Sequence, residues 1–246
     1  MDGTMLSHGK RVREVCAAVK RMGGPVKHIF ANLTLGGDEA FPQKNIRTHP
    51  DLEPHGVFGD LGWYCIRYTL HLMDFQMPPG VTGRILKQND KGAIISFIGD
   101  MTFEAEGGVA LASFFVSFET AFEQTLRVTT TEGALRLDDM CLPVTNRPET
   151  QYCEVHDSSD DNVCESHNPH SAVKHTVKGE TPDFQLTELW GDVARVLYVD
   201  GEGGVRRFKA KEERARHWAM MSWKTQAVMD KILESARIGR SNALAA

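Results

Sequence analysis

The sequence predicts an α+β domain: one open, largely antiparallel mixed sheet with helices packed on one face. Three observations predict it. Residues 81–139 read as successive strand-forming runs, VTGRILKQ, GAIISFIGDMTFE, GVALASFFVSFETA, EQTLRVTTT and GALRLDD, divided by turn residues such as Asn89-Asp90, Gly107-Gly108 and Glu132-Gly133. Stretches of helical period stand on both sides of this block. The chain has 246 residues, 41% of them hydrophobic, enough for one large domain with a substantial core.

Residues 9–24 repeat Val12, Val15, Cys16 and Val19 at helical spacing, and Gly23-Gly24 ends the helix. Residues 26–37, VKHIFANLTLGG, alternate and are β-branched, as a strand requires. Residues 38–58 hold Pro42, Pro50 and Pro54 and are irregular. A helix over 59–74 follows, and Pro78-Pro79-Gly80 stops the chain after it. In the run from 108, Ala110, Ala112, Phe114, Val116 and Phe118 share the face that packs on helices. Leu111, Ser113, Phe115, Ser117 and Glu119 share the other, whose mixed character suits a sheet face that meets a partner.

Residues 139–170 lose periodicity and read as a long surface loop; a strand near 172–177 follows. Helices are expected near 182–199 and 211–236. The second has a buried stripe of Trp218, Met221, Thr225, Val228, Met229 and Ile232, and Trp190 and Trp223 are assigned to the core as well. One domain over 1–239 and a frayed tail at 240–246 complete the organisation.

A net charge of −5 gives no basic signature, so nucleic acid is not an expected partner. No apolar run reaches the ~20 residues of a membrane span. MDGTMLSHGKR has no apolar signal core, and five scattered cysteines fit reduced thiols better than a disulfide framework, so the expected location is cytoplasmic. No glycine fingerprint follows an apolar strand and no P-loop is present, so no cofactor-binding residue is assigned. Cys153-x2-His156 and Cys164-x2-His167, with His170 beyond, have zinc-like spacing, but the intervening DSSDDNV is acidic and without apolar support; no metal site is expected.

The chemistry-bearing stretch is GDLGWYCIRYTLHLMD, 59–74. At about 100° per residue, Asp60, Tyr64, Arg67, His71 and Asp74 form one stripe, and Leu61, Cys65, Ile66, Leu70, Leu72 and Met73 face the other way. The polar stripe is either a solvated face or the lining of a cleft. A phenol titrates near 10, so Tyr64 needs a cation nearby to handle a proton; Arg67 is one turn away, His71 a turn further, and His8 and Arg47 precede the helix. Asp60 near the helix start is also a favourable charge against the helix dipole.

Three stretches resemble the C-terminal domain of the Gfo/Idh/MocA oxidoreductases, the group of glucose–fructose oxidoreductase and inositol dehydrogenase. They are DGTMLSHGKR at the start, KNIRTHPDLEPHGVFGDLGWYCIRY with its D-x-G-x-Y element, and SWKTQAVMDKILES near the end. The resemblance implies that Tyr64 exchanges a proton with the hydroxyl or carbonyl of a sugar-, polyol- or diol-like substrate, with Asp60 orienting it. His8, Arg47, Arg67 and His71 would then border the substrate. It also implies a homo-oligomer through the open sheet face, and NAD(P) as the cofactor of the full-length family. The family's dinucleotide domain and its Glu-Lys-Pro lysine have no counterpart in these residues. The expectation is therefore a substrate-binding and oligomerisation half, inactive alone and without its own NAD(P) site. The alternatives are a stand-alone module that binds a ligand or partner without redox chemistry, and a metal-binding or regulatory domain using the Cys/His loop.

Overall fold

Val12, Val15, Ala18 and Val19 give α1, Lys10–Met22, one apolar face, and all four are buried. The computed structural model that places this helix describes residues 9–37, 41, 45–141, 149–156, 171–178, 182–200, 206–208 and 212–244. Gly23 and Gly24, both at positive φ, turn the chain into β1, Val26–Thr34.

The helical segment predicted over 59–74 opens as a π-helical turn, Phe58–Gly62, and continues as α2, Trp63–Leu72. Its entry is tight. Gly56 sits at φ +55, and a Cβ there would stand 2.3 Å from the carbonyl oxygen of Ile94. Phe58 then stacks on Phe97 at 4.3 Å between ring centroids, which seats the turn on the sheet.

Five strands follow: β2 Gly80–Gln88, β3 Ile94–Ala105, β4 Gly108–Ser117, β5 Glu123–Thr130 and β6 Gly133–Leu137. They were expected as a simple meander. In the structure β1 inserts between β4 and β5, parallel to the first and antiparallel to the second, giving the order β2-β3-β4-β1-β5-β6. Two further strands, β7 (Glu149–His156) and β8 (Ser171–Lys178), extend the sheet beyond β6. A non-local pairing of this kind leaves no mark on local periodicity. The open, mostly antiparallel α+β architecture is as predicted.

β7, Glu149–His156, falls inside the segment read as loop and pairs with β6 and with β8, Ser171–Lys178. Its polar composition hides the period of two: Tyr152 and Glu154 are the buried positions, and one is a carboxylate. Residues 142–148 and 157–170 lie outside the described residues.

α3, Pro182–Leu197, leads to the short antiparallel pair β9, Tyr198–Asp200, and β10, Arg206–Phe208. α4, Glu212–Leu244, runs past residue 240, where a frayed tail was expected. Its predicted stripe holds for Met221, Thr225, Val228, Met229 and Ile232, with Trp218 half-buried. Trp190 and Trp223 are not core: they are 62% and 59% exposed. The long helix docks through a glycine seat, where a Cβ on Gly83 would lie 2.5 Å from the Ile232 carbonyl oxygen.

Ala110, Ala112, Phe114, Val116 and Phe118 are all buried against the helices, as their alternation requires. On the other face Leu111 is exposed and Ser113 and Phe115 are half-buried, while Ser117 at the strand end is buried. Among the described residues no helix is long and apolar enough to cross a membrane.

Candidate active site

Asp60 lies in the π-turn and Tyr64 one turn later in α2. A π-turn closes its hydrogen-bonded ring with one more residue than an α-turn, so it changes the phase between residues before and after it; such turns recur at functional sites. Asp60 is reached by Arg47, whose Nε stands 2.7 Å from Asp60 Oδ2, with both groups partly exposed. The arginine comes from the irregular segment before the helix and is itself held. Asn45 Oδ1 accepts from the Arg47 backbone N–H at 3.0 Å, and Thr48 Oγ1 donates to the Asn45 carbonyl at 2.7 Å. Asn89 Nδ2 donates to the Thr48 carbonyl at 2.8 Å, tying this turn to the end of β2. An ion pair assembled from two segments thus stands at the π-turn that opens α2, and Tyr64, four residues after Asp60 in sequence, is 8% exposed.

The Asp60 carboxylate also bears electrostatically on a buried thiol. Cys141 is buried, and burial pushes it up to about 12; the Arg11 guanidinium draws it down and the Asp60 carboxylate pushes it further up. Cys65, one residue beyond Tyr64, is fully buried and likewise raised by burial, with Cys141 adding to the effect. Neither thiol is an ionised nucleophile at neutral pH.

The rest of the predicted stripe separates. Arg67 does not border a cleft. It is 0% exposed, and its Nη1 donates to Thr225 Oγ1 of α4 at 2.9 Å, with Ser222 Oγ at 3.5 Å from Nη2. The Phe75 ring lies 5.5 Å from its guanidinium carbon. His71 is edge-on to Phe75 at 4.8 Å, eleven residues and roughly 16 Å along the helix from Asp60. Asp74 pairs with Lys20 of α1 at 2.7 Å. The reason is tertiary: α4 and α1 cover the flank that helical angles alone leave open. His8 lies outside the described residues, as do Cys164, His167 and His170. Among the described residues no group of three or more His, Cys, Asp or Glu could hold a metal ion.

A cleft of about 590 Å³ opens at the opposite end of α2, between Val19, Lys20, Leu72, Asp74, Glu104 and Glu106. It does not contain Asp60 or Tyr64. Sequence reasoning did not single out Arg11 and Cys141, which the fold buries and joins through the Cys141 carbonyl. The one local signal was an arginine beside Val12 on an otherwise apolar helix face.

The fold and the Asp60–Tyr64 geometry can be set beside known proteins. No protein-family model matches the sequence. Among solved structures the chain shares the fold of oxidoreductases of the Gfo/Idh/MocA type. It is similar to KijD10, a 3-ketoreductase from Actinomadura kijaniata determined with NADP and TDP-benzene, at 16% identity and a TM-score of 0.69, over 96% of this chain and 62% of that one. It is also similar to the aldose-aldose oxidoreductase of Caulobacter crescentus complexed with glycerol, at 13% identity and a TM-score of 0.65, over 96% and 61%. An inositol dehydrogenase homolog from Azotobacter vinelandii, complexed with NAD+, gives 13% identity and a TM-score of 0.65, over 96% and 62%. The chain therefore spans about 60% of the length of each of these structures.

Proposed function

We propose that this chain is the substrate-binding and oligomerisation portion of an oxidoreductase acting on sugar-, polyol- or diol-like substrates, with Tyr64 as the group that exchanges a proton with the reacting hydroxyl or carbonyl. The observation that carries this reading is the Arg47–Asp60 pair at 2.7 Å over the π-turn that opens the Tyr64 helix, in a fold shared with sugar-linked oxidoreductases. Asp60 supplies fixed acceptors for substrate hydroxyls, and Arg47 holds its carboxylate in place while leaving it partly open to solvent. Tyr64 supplies an O–H that can be given to a carbonyl oxygen or regained from a hydroxyl.

The residues described do not fit a dinucleotide. Pyrophosphate is held at a helix N-terminus behind a glycine turn, where amide N–H groups point outward. Gly23-Gly24 occupies the opposite position, after the C-terminus of α1, where carbonyls face outward. In this reading NAD(P), as bound by the neighbouring enzymes, is not held by these residues. The open sheet face serves self-association, and the location is cytoplasmic. A stand-alone binding module remains the second reading, favoured by the same lack of fit.

The test joins the chain to a nucleotide-binding domain of the neighbouring type and measures NADPH-dependent reduction of a keto-sugar. Tyr64→Phe should lower kcat by ~10²-fold or more, the range for a lost acid–base group. It should leave unfolding within ~1 kcal/mol, since one hydroxyl is removed. An active joined protein in which Tyr64→Phe turns over as fast as its parent refutes the role of Tyr64. Low-micromolar binding of NADPH by the chain alone refutes the placement of the nucleotide elsewhere.

A further inference from the structure

Arg47 reaches Asp60 from a single 3-10 turn, Ile46–Thr48. So short a turn has too few internal hydrogen bonds to fix its own direction. The Nε–Oδ2 contact at 2.7 Å therefore depends on what the turn is fastened to.

Asn89, in the turn between β2 and β3, fastens it, and uses both ends of its side-chain amide to do so. Oδ1 accepts from the backbone N–H of Lys91 at 3.1 Å and of Ala93 at 2.9 Å. Nδ2 donates to the Thr48 carbonyl at 2.8 Å, across 41 residues of sequence. Two N–H groups at one end and a carbonyl at the other select one orientation of the amide. The Asn89 backbone N–H donates to the Ala93 carbonyl at 3.0 Å, and Ala93, 1% exposed, leads into β3. Asn89 is thus anchored on the sheet.

From Thr48 the series to the site is short. Thr48 is 0% exposed, and its Oγ1 donates to the Asn45 carbonyl at 2.7 Å. Asn45 Oδ1 accepts from the Arg47 N–H at 3.0 Å, and Arg47 meets Asp60. Every link from Ala93 to the Asp60 carboxylate is a hydrogen bond or ion pair no longer than 3.0 Å.

We propose that Asn89 is a positioning residue of the Asp60–Tyr64 site: it hangs the 46–48 turn on the β2–β3 turn and so keeps Arg47 on Asp60. This rests on the reading of that pair as the site. Aspartate at position 89 would keep the acceptors for Lys91 and Ala93 but set a carboxylate oxygen against the Thr48 carbonyl. Asn89→Asp therefore cuts the link to Thr48 and spares the turn that carries it.

The test uses the chain as it stands. Amide hydrogen exchange by NMR reads both ends of the tether: the Arg47 N–H, which donates to Asn45, and the Ala93 N–H, which donates to residue 89 itself. Asn89→Asp should speed exchange at Arg47 about tenfold or more and leave Ala93 within about twofold, the scale for one hydrogen bond replaced by a repulsive contact. The Asp60 carboxyl ¹³C resonance, assigned through Asp60→Asn, should move in Asn89→Asp in the same direction as in Arg47→Ala. With Arg47→Ala already present, Asn89→Asp should move it no further, because Asn89 acts through Arg47. A merely structural role would shift it equally in both backgrounds. Asn89→Ser keeps a turn acceptor on a side chain too short for Thr48 and should give the same pattern, so the test survives an Asn89→Asp that does not fold. Equal acceleration at Ala93 and Arg47, an unchanged Arg47 rate, an unmoved Asp60 resonance, or an equal shift with Arg47 removed overturns the proposal. None of these readouts needs turnover or nucleotide, so a failure of the redox reading is distinguishable from a failure of the tether.

Discussion

Arg67→Ala separates two meanings of the polar stripe on α2. If Arg67 is a strut between helices, its loss appears as stability; if it borders substrate, its loss appears as binding or turnover. The strut reading allows a magnitude. The side chain is wholly buried, hydrogen-bonds Thr225 at 2.9 Å and lies 5.5 Å from the Phe75 ring. A hydrogen bond to a charged group is worth roughly 1.5–3 kcal/mol. A desolvated cation–π contact adds about 1–2 kcal/mol. The two buried methylenes beyond Cβ add about 1.6 kcal/mol at ~0.8 each. Against this stands the desolvation of the guanidinium, several kcal/mol, which alanine no longer bears. The balance is a loss of about 2–4 kcal/mol. The partner is not stranded, because Thr225 Oγ1 still donates to the Met221 carbonyl at 2.9 Å. Arg67→Met keeps most of the stem and should lose about 1–2 kcal/mol. For a chain of this size each kcal/mol moves Tm by roughly 2–4 °C, so Arg67→Ala should melt about 4–16 °C lower. Urea unfolding followed by tryptophan fluorescence gives the free energies. Stability within ~0.5 kcal/mol of wild type for Arg67→Ala would show the buried contacts to be worth nothing net, and the strut reading would be wrong.

Gly83→Ala should cost about 1–3 kcal/mol, the range for overpacking, because its Cβ would meet the Ile232 carbonyl oxygen at 2.5 Å and the Phe97 ring at 2.9 Å. Gly92→Ala, at φ +86 with nothing within 4 Å, should cost only the backbone strain, ~1 kcal/mol, and thermal melts of the two variants make the comparison. Cys16 and Cys141 are each pushed up to about 12 by burial, so the folded state holds these protons more tightly than an unfolded chain does, whose thiols titrate near 9.0. Their contribution is complete below pH 9 and lost as pH rises toward 12. Denaturation at pH 8 and pH 11 should show a steeper alkaline loss in wild type than in Cys16→Ala/Cys141→Ala, and equal losses would discount the thiols. If the open sheet face associates, sedimentation at tens of micromolar, roughly the weak-dimer regime, should show an oligomer that Phe115→Lys dissociates; a monomeric wild type ends that idea.

The local features of this fold were legible because they follow from local rules. Alternation set Ala110, Ala112, Phe114, Val116 and Phe118 on the buried face, and a 3.6-residue period set Met221, Val228, Met229 and Ile232 on the inner side of α4. Asp60 and Tyr64 stand out in the sequence as candidates because a short motif stands at the head of an amphipathic helix. β7 was not legible, because its inward positions include Glu154, a residue that reads as surface in any hydropathy pattern. Trp190 and Trp223 were misplaced for the converse reason: size and apolarity argue for burial, but roughly half of a protein's surface is apolar in any case.

What the sequence alone determined, then, was which residues are helical or extended and which side of each element is apolar. Those properties depend on neighbours three or four positions away at most. Only the tertiary structure decided that β1 lies between β4 and β5, that Arg67 is sealed under α4 while Arg47 reaches Asp60, and that Arg11 grips the carbonyls of residues 139–141. Each of these joins positions from 13 to 158 residues apart in sequence. A helical wheel shows only that Arg67 is polar. Whether that polar group meets water, substrate or another helix is settled by what packs over it, since the same guanidinium is costly when buried alone and stable when a neighbouring element completes its hydrogen bonds.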